Sequence, residues 1–262
     1  AGKRGDDFRK QLAGFPTSVA QECLERASKQ ILAADKHQGN ILSYDHPLYP
    51  PLAFQSNNAI PVLYVRGNIE ALRQHKSVAC VGSRAIREPY SGLHRKFSEA
   101  AVSDGFAIVS GFALGADSIG HRFVAEHGGL TICVMPCGLD RPFPPENKDL
   151  WDQLLQAGRA VFISEFPFGM RASSLTLKKR NKMITALALG VMVSQSSATG
   201  GAMNAYRFAR DQKKPVATFS HDGKPDTSGN KLITDEPLTG DQVFPAASNT
   251  RMYKQWLEKL CF

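Results

Sequence analysis

FAIVSGFALGADSIGHRFVAEHGG, Phe106 to Gly129, is the stretch around which the rest of the chain is organised. Phe106 to Val109 reads as a short buried strand, and Ser110 to Gly115 as a turn of mostly small residues. From Ala116 the apolar positions Ile119, Phe123 and Val124 recur at helical spacing, and Gly128-Gly129 end the helix. A strand, a glycine turn and a helix together present free backbone N–H groups at a helix N-terminus, which favours an anion, most often phosphate. Asp117 in the first turn and His121 one turn later are expected near the same mouth. A single such turn fits a second reading equally, in which Gly111 and Gly115 only let helix and strand pack closely. Repetition of the pattern favours the first.

Working outward, SVACVGS from Ser77 reads as a strand and Glu88 to Asp104 as a helix. Further strands are expected at 130–135, 160–165, 190–195 and 215–219, with helices ending at Gln156, spanning Arg180 to Leu189, and spanning Gly200 to Gln212. Strands alternating with helices of this length predict an α/β fold: right-handed crossovers and a mostly parallel sheet with helices on both faces. Ahead of it lie a proline-rich segment, Asp45 to Pro61, a strand at Val62 to Val65 and a short helix from Ile69 to Gln74. Residues 1–40 form a short N-terminal helical segment, in which Val19, Cys23, Leu24, Ala27, Ile31 and Leu32 are expected to make a buried stripe. The main domain is placed at 41–245. A C-terminal amphipathic helix at 246–262, carrying Met252, Tyr253, Trp256, Leu257 and Leu260, has two readings, docking on the core or joining two copies, and docking is the one expected.

The chain has 262 residues and a formal net charge of +8, which favours a polyanionic partner. No apolar run approaches membrane-spanning length and no signal pattern opens the sequence. The five cysteines form no Cys-x-x-Cys pair, and the seven histidines lack ligand spacing. A reduced, cytoplasmic protein without metal or cofactor and without a membrane partner is expected.

In a parallel sheet every strand's carboxyl end lies at one edge, and open α/β sheets bind ligands there. The unusual residues fall at that edge: Gly82-Ser83-Arg84, Ser110-Gly111 with Gly115, Gly138 to Asn147, Ser164 to Pro167, and Ser196 to Gly201 including Thr199 and Gly200. Arg84 is suited to clamp a phosphate bidentately. The run from Arg171 to Lys182 carries Lys178, Lys179, Arg180, Asn181 and Lys182 with no acid among them, and is read as a polyanion contact. Phe112, Phe166 and Phe168 are open to two readings, base stacking or core packing. Walker, dinucleotide and nucleophile-elbow motifs are absent. Asp117, His121, Asp140, Glu146 and Glu165 are available for acid–base work, although such acids more often brace loops.

At these residues the sequence resembles the DprA/Smf family of DNA-processing proteins. The resemblance rests on VGSR (81–84), SGxAxGxDxxxH (110–121), GLDRxxPPEN (138–147), SEFP (164–167) and RNKxI (180–184), with YPPL (49–52), LYVRG (63–67) and SGNKLI (228–233) in family order. It implies an extended Rossmann fold that binds single-stranded DNA, forms a homodimer and loads a RecA-type recombinase during natural transformation. Carried over, Gly82, Ser83 and Arg84 would hold DNA phosphates. Arg180, Asn181 and Lys182 would form the facing wall, and Ser110, Gly111 and Gly115 the floor.

Leu177-Lys178 stands where the family often has Phe-Pro, and Thr199-Gly200-Gly201 where it has Ser-Gly-Ser. The alternative is a nucleotide-binding sensor or nucleotide-hydrolysing Rossmann enzyme, in a mobile-element or defence role. Phosphoribohydrolase relatives of that fold carry PGGxGTxxE at the fifth loop. Here the loop reads ATGGAMN (198–204), without the glutamate, which argues against hydrolysis. A non-enzymatic DNA-binding mediator is therefore expected.

Overall fold

The computed structural model describes residue 14 and residues 16–55 and 60–261. Among them, nine strands form one sheet in the order β1-β2-β6-β5-β4-β3-β7-β8-β9. The strands are β1 (Gly39–Ser43), β2 (Val62–Gly67), β3 (Ser77–Val81), β4 (Ala107–Ser110), β5 (Thr131–Met135), β6 (Ala160–Ser164), β7 (Gly190–Val193), β8 (Val216–Phe219) and β9 (Gln242–Phe244). The helices are α1 (Thr17–Lys36), α2 (Pro51–Gln55), α3 (Tyr90–Ser103), α4 (Ala116–His127), α5 (Lys148–Gln156), α6 (Ser174–Ala186), α7 (Ala202–Asp211), α8 (Ser228–Asp235) and α9 (Thr250–Lys259).

From β6 to β9 every pairing is parallel, and the β1–β2 hairpin adds to β6 antiparallel. This is the expected Rossmann-like α/β architecture. Successive strands run outward from β3 to β6. The chain then crosses back to lay β7 on the other side of β3. The switch point therefore lies between β3 and β7, where such sheets form a crevice.

Alternation along the strands splits the core in two. Val78 and Cys80 face a cluster with Phe97 of α3, Val124 of α4, Trp151 of α5, and Tyr253 and Trp256 of α9. Ala79 and Val81 face another with Ile184 of α6, Ala205 of α7 and Ile233 of α8. The C-terminal helix is docked as expected. Tyr253, Trp256 and Leu257 are buried, and the Trp256 indole donates to the Gly240 carbonyl at 2.9 Å.

Three expectations are corrected. The α1 stripe is exposed: Leu24, Ile31 and Leu32 are each more than half accessible, and only Ala34 is buried. The helix is tied to the body near its C-terminal end, where Gln30 exchanges hydrogen bonds with the Phe168 backbone, so its earlier turns have no core to face. Residues 39–43, at the expected edge of the N-terminal segment, are strand β1 of the main sheet. Finally, α6 starts at Ser174 and not near Arg180. Ser173 and Thr176 close a capping box, which turns the basic run into helix.

No described helix is long and apolar enough to cross a membrane. Among the described residues no group of His, Cys, Asp or Glu is placed to hold a metal ion. All five cysteines are free thiols, with Cys80, Cys133 and Cys137 buried.

Candidate functional site

A cavity of about 550 Å³ opens at the β3/β7 switch point. One wall is the loop after β3, with Gly82, Ser83 and Arg84. A second is the face of α6 that carries Ser174, Leu177, Lys178 and Asn181, spaced i, i+3, i+4 and i+7. The third is the loop after β7 and the first turn of α7, with Ser196, Ser197, Gly200, Gly201 and Asn204. That turn has no side-chain cap and brings the positive end of the helix dipole to the cavity, while its Met203 and Asn204 N–H groups are bonded to the Gly200 and Gly201 carbonyls.

Arg84 and Lys178 are exposed, and neither is paired with a carboxylate among the described residues. Among the described residues Asp117 is the only acid lining the cavity, and it is already engaged. It accepts the backbone N–H groups of Gly111 at 3.1 Å and Ala113 at 3.3 Å, and lies 3.9 Å from the Arg180 guanidinium. Burial raises its pKa, and the Arg180 charge opposes that rise. What remains open to a ligand is cationic and rich in donors.

Arg180 is a correction. A basic run reads as surface, yet this side chain is 6% exposed. It donates to the Gly111 carbonyl and, at 2.9 Å, to the Val134 carbonyl, while it faces Asp117. Its guanidinium fills the space a Cβ at position 111 would need, which is why that residue is glycine. Arg180 borders the cavity but is committed to the fold.

Gly115, at φ +76°, packs under the loop after β3, where any side chain would collide with the Ser83 and Arg84 carbonyls. Ser110 is fully buried and donates to the Cys80 carbonyl. So Ser110, Gly111 and Gly115 support the walls and do not line the main cavity.

Lys179 points elsewhere, pairing with Glu165 at 3.2 Å over the Phe166 ring. Lys182 and Thr199 are exposed outside the cavity. Phe112, Phe166 and Phe168 are buried, so packing and not stacking is their role. Phe112 holds a left-handed backbone, φ 59°, at the turn, fixed by ring contacts to His121, Trp151 and Phe162. His121 does not reach the mouth. It is buried against Thr131 and Cys133. Asp140 and Asn147 brace loops, through the Gly169 amide and the Phe112 carbonyl respectively.

The model of the family described as DNA recombination-mediator protein A matches residues 40–238. The chain belongs to this family. It is 34% identical to Protein Smf of Synechocystis over 188 residues, 71% of this chain and 46% of the relative. It is 29% identical to Protein Smf of Escherichia coli over 210 residues, 79% of this chain and 56% of the relative. The chain thus spans about half the length of the curated relatives it matches.

Its fold is shared with DNA processing protein A of Streptococcus pneumoniae, at TM-score 0.76 and 23% identity, covering 95% of this chain and 84% of that one. It is also shared with DNA processing protein A of Helicobacter pylori, solved for its single-stranded DNA binding mode. There the TM-score is 0.68 at 22% identity, covering 86% of this chain and 96% of that one.

Several lining residues, Ser174 and Asn204 among them, carry no motif of their own in the sequence. Ser174 is legible only once the start of α6 is right, for which the Ser173-x-x-Thr176 capping box is the signal, while the uncapped start of α7 offers no such signal for Asn204.

Proposed function

We propose that the chain binds single-stranded DNA in the switch-point cavity and acts as a recombination mediator that protects the strand and loads a RecA-type recombinase, working as a homodimer in the cytoplasm during natural transformation. The observation that carries this reading is that Arg84 and Lys178, neither paired with a carboxylate among the described residues, stand on two walls of one cavity whose third wall is the first turn of α7. A guanidinium and an ammonium beside the positive end of a helix dipole match a chain of phosphates. Membership of the recombination-mediator family and the single-stranded DNA binding of the Helicobacter pylori protein support it. The reading is non-catalytic. Asp117, the one acid lining the cavity among the described residues, is held by two backbone amides and Arg180 and so is poorly placed to serve as the base or nucleophile of a hydrolase.

Arg84→Ala should weaken binding to oligo-dT by roughly 1.5–3 kcal/mol, the range for hydrogen bonds to a charged group. The slope of log K against log salt should shrink by about 0.7, one phosphate's share on a single strand. Because Arg84 is exposed, the melting temperature should hold. Full affinity in the folded variant would place the nucleic acid elsewhere.

Oligo-dT should also be preferred over a matched duplex. Loops at a sheet edge offer a cavity for phosphates and splayed bases, a shape suited to a single strand and not to a duplex. Gel shifts read this directly, and tighter duplex binding would sink the single-strand assignment.

A further inference from the structure

Arg87 lies three residues beyond Arg84 in the loop between β3 and α3, and it is tied to two other loops of the same sheet edge. Its Nε and Nη2 donate to the two oxygens of Asp226, at 2.6 and 2.9 Å, and Nη2 also reaches Asp222 at 2.7 Å. Both aspartates belong to the loop after β8. Its backbone N–H donates to the Gln195 Oε1 at 3.0 Å, and the Gln195 Nε2 donates to Asp226 at 2.8 Å. Gln195, in the loop after β7, is fully buried. The Gln195 carbonyl also accepts the Ser83 N–H at 2.8 Å.

One residue therefore grips the segment on both sides of Arg84, by its main chain at Ser83 and by its side chain at Arg87. The guanidinium of Arg87 also sits 5.3 Å over the Tyr90 ring, whose hydroxyl donates to the Ser220 carbonyl. Isolated surface ion pairs contribute little. This one is bidentate, joins a network and rests on an aromatic face, the conditions under which such a pair fixes geometry. The hydrogen bonds from Arg87 hold the Asp226 carboxyl below its ordinary range.

We propose that Arg87 is a positioning residue for Arg84: by joining Gln195, Asp222 and Asp226 it fixes residues 83–87 in the conformation that presents Arg84 to the cavity. The inference rests on the nucleic-acid reading of that cavity. A different role is conceivable for the same contacts, namely screening strand phosphates from the two aspartates, and charge arithmetic separates the two. Arg87→Met removes one positive charge. Arg87→Met combined with Asp222→Asn and Asp226→Asn removes one positive and two negative charges, so it is one unit more positive than the wild type. Pure screening requires this triple variant to bind at least as tightly as wild type. Positioning requires it to bind more weakly.

The experiment measures oligo-dT affinity for wild type, Arg87→Lys, Arg87→Met and the triple variant, each with and without Arg84→Ala. We expect the triple variant to lose affinity several-fold despite its added positive charge. Arg87→Lys should also lose affinity, because an ammonium cannot bridge both aspartates in a fork. In the triple background Arg84→Ala should cost little more, whereas in wild type it has its full effect. Amide hydrogen exchange without DNA gives a second reading. Ser83 and Arg87 should exchange faster in Arg87→Met, while the β4 amides stay protected. Wild-type affinity in the triple variant, or unchanged exchange at Ser83 and Arg87, overturns the proposal. If wild type itself does not bind oligo-dT, the nucleic-acid reading falls, and the exchange data alone decide whether Arg87 orders the Arg84 segment.

Discussion

Arg180→Ala is expected to unfold the protein well below the wild-type melting temperature, in contrast to Arg84→Ala. The two arginines border the same cavity, but their surroundings differ. Removal of Arg180 strands the Gly111 and Val134 carbonyls and leaves Asp117 as a buried carboxylate without its counter-charge. Breaking a buried pair from one side costs about 3–5 kcal/mol, which for a domain of this size lowers the melting temperature by on the order of 10 °C. Two further variants test the cause. Asp117→Asn added to Arg180→Ala should recover part of the loss, because the uncompensated charge is gone even though the carbonyls remain orphaned. Arg180→Lys should fall between, since an ammonium restores charge without the planar fork that spans two carbonyls. Calorimetry on the four proteins reads this cycle. An Arg180→Ala melting temperature equal to wild type would show that the guanidinium is solvated and free for DNA.

The contrast between these arginines marks where sequence reasoning reaches its limit. The parallel sheet was legible because its strands are continuous apolar runs, SVAC, AIVS, TICVM and AVFIS, each closed by glycine or polar residues and followed by a helical period. The loops at its carboxyl edge were legible for the same reason. Strand β1, GNILS, escaped because it is short and carries only two apolar residues.

The inward turn of Arg180 was not legible at all. The run of five cations is read as one polyanion contact, and only the fold brings Asp117 and the Gly111 carbonyl beneath one of them. Leu177 and Lys178 illustrate the same dependence on helix phase. With the helix begun at Ser174 they share a face with Asn181, while Lys179 turns away to Glu165. The Arg87 network was invisible because Arg87, Gln195 and the two aspartates lie on loops after three different strands, and no periodicity reports such a meeting.

A steep loss of stability between pH 6.5 and pH 4 is the second large effect expected. His94 of α3 and His121 of α4 are fully buried within the apolar layer under the sheet. Among the described residues neither ring nitrogen of His94 makes a well-formed hydrogen bond, although the Ala116 backbone lies close enough to favour its charged form, and Nε2 of His121 makes none. Burial lowers His94 to about 4. Burial, then the charge of Arg180 and the neighbouring His94, lowers His121 to about 3.

The unfolded chain takes up a proton on each histidine near pH 6.5, while the native state refuses both until much lower pH. The unfolded state therefore binds more protons in this window, and stability rises with pH across it. The contribution is fully present above pH 6.5 and is lost as pH falls toward the folded values, at up to about 1.4 kcal/mol per pH unit for each histidine. Asp117 works in the opposite sense, since its raised pKa lets the native state hold a proton the unfolded state has released, and this offsets part of the slope. The acid-side loss from Asp222, held at about 2 by hydrogen bonds from Arg87 and Thr227 against the effect of burial, falls below the window.

Urea unfolding at pH 7, 6 and 5 measures the slope. His94→Leu removes a buried ring that satisfies neither nitrogen, so it should leave stability at pH 7 nearly unchanged and remove close to half of the pH dependence. A slope in His94→Leu equal to that of wild type would mean that His94 is already reached by water in the folded protein.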